Sequence, residues 1–185
     1  MATTEAKLVT AEDLLRLDGR GIHGELIRGV FYEKTPPGGE QGLPVVQLGD
    51  ALVNFVEPRR LGTLVGFDSV IWLERPPDKI RVPYMAFTSV ERLPLGEDVP
   101  GYADVVPDLV VEIASPSDSR SQIHDKARMW LSHGVRLVWV VHPDTRTIDV
   151  HRADRDAGTL GEDDALDGMD VLPGFSCPVR TVFGG

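Results

Sequence analysis

Apolar residues recur along this chain at two spacings, every three to four residues in some segments and every second residue in others, and the changes of spacing mark its elements. Thr10-Ala-Glu-Asp13 stands ahead of Leu14, Leu15 and Leu17 like a capping box with Asp in place of the usual Glu, which predicts a short helix. The run from Glu25 to Glu33 reads as two strands around Arg28-Gly29, where glycine supplies the positive φ of a tight hairpin. After a loop from Pro36 to Gly42, Val45, Leu48, Ala51, Leu52, Phe55 and Val56 fall at helical spacing, and Gly62 is expected to close that helix.

From Thr63 the spacing shortens. Strands are expected at 63–67, 70–73 and 80–87, separated by Asp68-Ser69 and by Pro76-Pro77-Asp78, as a twisted antiparallel meander. The polar stretch 89–105 carries Pro94, Gly96, Pro100 and Gly101 and forms a long connection of the kind that lies near function. Asp108 to Ala114 is then a strand, with Asp108, Val110, Glu112 and Ala114 on one face. Ser117 or Ser119 caps a helix that runs to about Ser132, ahead of Gly134. Strands at 136–141 and 147–151 flank a turn at Pro143-Asp144, and Leu172 to Phe175 in the acidic tail reads as a capping element.

The 19 Gly and 14 Pro among 185 residues exceed the usual ~12% share and favour short strands over a helical bundle. No repeat or low-complexity tract divides the chain, so one domain over 1–185 is expected. No apolar segment approaches the ~20 residues of a membrane span. The first residues lack the basic start and apolar centre of a secretory signal, and Cys177 is the one cysteine, so a reducing cytoplasm is expected and a structural zinc site is excluded. With 19 Lys and Arg against 29 Asp and Glu, the net charge is -10, and any contact with DNA must be local.

The chemistry concentrates at Glu112, a carboxylate inside an otherwise apolar strand, Val110-Val-Glu-Ile113. Burying it unpaired costs several kcal/mol, so it must line a cleft, pair, or bind a metal. Asp108 points the same way but lies ~13 Å down the strand, too far to share one Mg²⁺, so a second ligand has to come from a neighbouring strand. Lys126 sits at the edge of the apolar face made by Ile123, Ala127 and Trp130, within reach of the strand end. A strand carboxylate, a divalent ion and a lysine together make a phosphodiester-cleaving set. A simple Glu–Lys ion pair is the other reading of the same spacing.

The run from Pro107 to Ser117, followed by Lys126 and by Gly134-Val-Arg-Leu-Val-Trp-Val-Val-His-Pro143 and Thr147-Ile-Asp-Val150, resembles the bacterial putative restriction endonuclease family of Uma type, within the PD-(D/E)XK nuclease superfamily. The resemblance extends upstream to Gly24-Glu-Leu-Ile-Arg-Gly29 and to Pro36-Pro-Gly-Gly-Glu40. It implies an α+β, restriction-endonuclease-like core: a mixed β-sheet flanked by α-helices, with an N-terminal β-hairpin. It also implies Mg²⁺-dependent (or Mn²⁺-dependent) DNA cleavage, with Glu112 as the motif acid and Lys126 as a migrated lysine, since Ala114 stands at the usual lysine position. Glu25 and Glu40 match acidic positions of relatives.

The family's Pro-Asp is Pro83-Tyr84 here, and a phenol near pKa 10 is a poor Mg²⁺ ligand. Asp68 or Asp108 would then have to supply the second oxygen donor. The alternative to a weakened endonuclease is a catalytically inactive nuclease fold kept for binding or assembly. A homodimer is favoured as the commonest assembly and one suited to cutting two strands.

Other features have simpler readings. The histidines at 124, 133, 142 and 151 fall on different elements and are expected to share no face, and the three Trp residues are expected in the core. Arg59, Arg60, Arg120 and Arg128 read as solvated surface, Ser115 and Ser117 as capping residues, and Gly38, Gly39 and Gly42 lack the Lys-Ser or Lys-Thr of a phosphate loop.

Overall fold

Proline and close backbone contacts decide how the strands are shared between sheets. The computed structural model describes residues 8–34, 39–66, 69–97 and 104–185, with only the backbone of 39 and 40. In chain order the elements are α1 (Ala11–Asp18), β1 (Gly24–Ile27), β2 (Val30–Glu33), α2 (Gly39–Arg59), β3 (Gly62–Gly66), β4 (Ile71–Glu74), β5 (Lys79–Arg81) and β6 (Met85–Ser89). They continue with β7 (Leu109–Ile113), α3 (Arg120–Ser132), β8 (Leu137–His142), β9 (Thr147–Arg152), β10 (Arg155–Leu160), β11 (Ala165–Asp167), β12 (Ser176–Pro178) and α4 (Val179–Val182).

A six-stranded sheet has the order β10-β9-β8-β7-β6-β3 and is antiparallel except between β7 and β8, which run parallel on either side of the α3 crossover. A four-stranded antiparallel sheet has the order β2-β1-β5-β4, and β11 with β12 forms a small ribbon. The expected N-terminal hairpin is present, with both Arg28 and Gly29 at positive φ, the form that matches the strand twist.

The six-stranded sheet is covered on both faces. On one, α2 lays down Val45, Leu48, Leu52 and Val56, joined by Phe175 and Val179 from the tail. On the other, Ala127 and Trp130 of α3 pack with Val110, Val138 and Val140. All five residues of β7 are buried, which accounts for its nearly unbroken apolar run. The predicted capping box of Thr10 with Asp13 forms on α1, and on α3 Ser119, not Ser117, is the cap, in a further capping box with Gln122.

Three local expectations are corrected. Residues 80–87 are not one strand: Pro83 has no N–H to give a ladder, and the chain leaves the small sheet at β5 and enters the large one at β6. The meander is therefore not continuous, because β3 pairs with β6 while β4 pairs with β5. Residues 39–42 are already helical, and Gly62 opens β3 instead of closing α2.

Gly62 is required by close approach, since a Cβ built there would stand 2.1 Å from the Thr88 carbonyl oxygen of β6. Gly66, at the other end of the same strand, has nothing within 4 Å of that position. Gly62→Ala is expected to destabilise by about 1–3 kcal/mol and Gly66→Ala by less than about 0.5 kcal/mol, measured as shifts of the urea midpoint. Equal shifts would show that the β3–β6 contact is not what demands glycine.

Candidate active site

The site lies where the chain crosses between the sheets. Val82, just past β5, donates its N–H to Glu25 Oε1 at 3.0 Å, and Arg81 donates to Glu25 Oε2 at 2.7 Å. Two residues on, the Tyr84 N–H donates to the Val111 carbonyl of β7 at 3.2 Å. The segment that Pro83 interrupts thus ties Glu25 of the small sheet to the Glu112 strand of the large one.

Strand alternation turns Glu112 toward α3, beside Val110. Glu112 is 4% exposed. Its Oε1 accepts from Trp130 Nε1 at 2.8 Å and its Oε2 from Lys126 Nζ at 3.0 Å. Lys126 and Trp130 are four residues apart and so lie on one side of α3. Lys126 Nζ is also 3.8 Å from Glu25 Oε1, so one ammonium bridges carboxylates from two sheets. Lys34 adds a further cation, donating to the Val82 carbonyl at 2.6 Å with its Nζ 5.0 Å from the Tyr84 ring centroid.

These charges set the protonation states. Burial pushes the Glu25 carboxyl up, but Lys126, Arg81 and the Val82 N–H outweigh it and hold the group below the usual carboxylate range. Burial pulls Lys126 down, and the negative charges of Glu112 and Glu25 outweigh that and raise it. Burial and then the Glu112 charge raise the Tyr84 phenol. At neutral pH the cluster is therefore an ionised lysine between carboxylates beside a protonated phenol.

The structure brings together Glu25, Glu112 and Lys126, with Tyr84 alongside. It does not bring Asp108 to them. Asp108, 1% exposed, is held at the far end of β7 by the Ser89 N–H at 2.9 Å, Arg92 at 2.9 Å and Arg136 at 3.4 Å, which fixes the loop after β6 and not a cation. Asp68 and the Glu40 side chain lie outside the described residues.

Sequence reasoning missed Arg81, Lys34 and the polar role of Trp130. The available signal for Trp130 was its position one helical turn after Lys126, which puts an indole N–H beside any carboxylate that the lysine reaches.

The histidine expectation is also corrected. His142 and His151 share the α3-facing side of β8 and β9, and the His124 ring packs against that of His151 with centroids 4.9 Å apart. Only His133 stands apart, with Glu74 at 2.7 Å. Among the described residues no group of three or more His, Cys, Asp or Glu is arranged to hold a metal ion.

The donor chemistry at Glu25 and Glu112 fits a hard cation, because Mg²⁺ is commonly held by one or two carboxylates while it keeps several waters. The fit is to a weak site. All four carboxylate oxygens already have a donor, from Val82, Arg81, Trp130 and Lys126, and position 84 offers a phenol.

A mixed sheet between helices, with two buried carboxylates and a lysine at its centre, defines an α+β protein of restriction-endonuclease-like architecture. The family model Uma2, described as "Putative restriction endonuclease", matches residues 11–180, and the chain belongs to that family. Among curated proteins none matches the chain. A solved structure similar to it is that of a putative nuclease belonging to DUF820 from Anabaena variabilis ATCC 29413, with a TM-score of 0.80 at 20% identity over 95% of this chain and 98% of that one. At that identity the likeness is one of fold. Among the described residues no helix is long and apolar enough to cross a membrane.

Glu25 supplies a pH test of the cluster. Its depressed carboxyl contributes stability that is fully present above the ordinary Glu value of about 4.3 and is lost as pH falls through the folded value. Glu25→Gln is expected to cost about 2–4 kcal/mol at pH 7 by leaving Arg81 and Lys126 short of a partner, with the gap to wild type narrowing below about pH 4. Urea unfolding of both proteins across that range checks it; a gap independent of pH would mean that the charge of Glu25 is not what stabilises the junction.

Proposed function

We propose that this protein hydrolyses DNA phosphodiester bonds at the Glu25–Glu112–Lys126 cluster with the help of a weakly held Mg²⁺ or Mn²⁺. The supporting observation is the convergence of two buried carboxylates from different sheets on one lysine ammonium. When bound, the metal ion supplies Lewis-acid polarisation of a phosphate oxygen and a more acidic water. Glu25 and Glu112 would hold it through their carboxylates, whose orientation Arg81 and Trp130 fix. Lys126, released in part from the carboxylates, faces the developing negative charge of the phosphate. Lys34, Arg81 and Lys126 gather positive potential at the site of a chain whose net charge is -10, so DNA contact is local. Glu40 and Asp68 are candidate helpers. The reading extends to a single nuclease-like domain, a cytoplasmic setting and a homodimer whose two sites address two strands.

A second reading, a nuclease-fold module for binding or assembly without catalysis, is favoured by Tyr84 and by the four occupied carboxylate oxygens. Calorimetric titration with Mg²⁺ and Mn²⁺ separates the two. The catalytic reading expects weak binding that Glu112→Ala abolishes and Tyr84→Asp strengthens about tenfold or more, with DNA nicking raised in parallel. Absence of binding at millimolar metal in both wild type and Tyr84→Asp would overturn it and leave the binding module.

A further inference from the structure

The four-stranded sheet has two unlike faces. Phe31 of β2 and Leu26 of β1 point to the face that α1 covers, where they pack with Ala11 and Leu14. Strand alternation sends Val30 and Tyr32 to the opposite face, together with Lys34, the first residue past β2. That opposite face is the one that carries Glu25. In the β1–β2 ladder Tyr32 stands directly across from Glu25, and Val30 across from Ile27. Ile27 and Val30 close the hairpin as a hydrogen-bonded pair, so Glu25 and Tyr32, two residues further along, form the next such pair with Cα atoms about 5.5 Å apart.

Tyr32 is 52% exposed and Val30 49%, on the outermost strand of the sheet, whereas Glu25 is 7% exposed. A single exposed tyrosine is ordinary surface. This one is distinguished by its place, one cross-strand step from a buried acid of the cluster and in front of a row of cations. Lys34 lies two residues beyond it on the same face and holds the Val82 carbonyl at 2.6 Å, and Lys126 reaches that face from α3, 3.8 Å from Glu25. Arg81 gives Nη1 to Glu25 at 2.7 Å, and among the described residues its buried Nε has no hydrogen-bond partner. A buried donor left unused is costly, and an acceptor that arrives with a ligand, such as a phosphate oxygen, removes that cost. Asp118, a further acid whose charge reaches Tyr84, turns its carboxylate back to the Ser115 N–H at 2.9 Å.

We propose that this face is the track for an unpaired nucleic-acid strand, with one base stacked on the Tyr32 ring and the adjoining phosphate carried past Lys34 toward Arg81 and Lys126. The proposal deepens the catalytic reading above, on which the nucleic-acid class rests, by naming the substrate as single-stranded DNA or the unpaired part of a flap or bubble. A paired duplex offers base faces only at its ends, whereas every base of a single strand has a face to lay on an aromatic ring. Stacking on a protein ring beside a positively charged path is the usual means of holding such a strand without reading its sequence. A second copy of the chain, added along the open edge of β2, is the competing occupant.

The test is fluorescence anisotropy of a labelled oligothymidylate, and of a duplex of the same length, titrated with the full chain in EDTA. The oligothymidylate is expected to bind about tenfold or more tightly than the duplex. Tyr32→Phe is expected to keep that affinity, while Tyr32→Leu and Tyr32→Ala each lose about tenfold with the thermal midpoint in place, because the ring and not its apolar area is what the base uses. Equal affinities for the two forms, no binding of either, or an affinity that Tyr32→Ala or Tyr32→Leu leaves unchanged would overturn the proposal. If Tyr32→Ala instead lowers the sedimentation coefficient while oligothymidylate binding is unaltered, the β2 edge is a contact between copies and the proposal falls. EDTA keeps metal out of the measurement, so the two readings fail separately. Tyr32-dependent binding in a protein that neither takes up Mg²⁺ or Mn²⁺ nor nicks DNA would remove the catalytic reading and leave the strand-binding face.

Discussion

Two carboxylates are buried where the sheets of this protein meet, and an unpartnered carboxylate there would cost several kcal/mol each. The surrounding structure is arranged around that cost. Arg81 and the Val82 N–H come from the end of β5, Lys126 and Trp130 from one side of α3, and each of the four oxygens receives a donor. Such a junction constrains its own geometry, because α3 cannot slide along the large sheet without uncoupling Lys126 and Trp130 from Glu112. The break at Pro83 serves the same junction. It releases the chain from one sheet, frees the Val82 N–H for Glu25, and lets Tyr84 join β7 in the other.

What makes this site unlike a strongly metal-binding one is the ratio of charges. Glu25 and Glu112 bring two negative charges, and Lys126 and Arg81 bring two positive ones, with Lys34 close by. A cation entering such a cluster finds its negative charge already balanced, and the phenol at 84 adds bulk and a polar tip without a further charge. Family membership and site electrostatics therefore pull in different directions. The chain and its fold belong to the nuclease family, while the local charge balance favours a site that is structurally complete without metal.

Much of this was legible in the sequence because it is written in short-range signals. The Arg28-Gly29 turn, the capping box at Thr10, a serine cap ahead of α3, the strand at β7 and the isolated Glu112 all follow from spacing or from the free-energy cost of a single residue. The links between sheets were not. Residues 80–87 read as one strand because β-branched and aromatic positions outvote one proline, and only the pairing of β3 with β6 reveals two strands in two sheets. Arg81 and Trp130 were hidden because their partners lie 56 and 18 residues away in sequence. The histidines escaped for the opposite reason: regular spacing on unlike elements suggested dispersal, whereas β8 and β9 pair so that His142 and His151 face the same helix.

One helix stands between the carboxylate cluster and the packed rings of His124 and His151. Lys126 and His124 are two positions apart on α3, so their side chains leave its axis about 200° from each other. The helix is in effect an axle with a crank on either side. Because both contacts belong to one rigid element, the pairing of Lys126 with Glu112 at 3.0 Å and the packing of the His124 ring against that of His151 at 4.9 Å fix the same rotation of α3 about its axis.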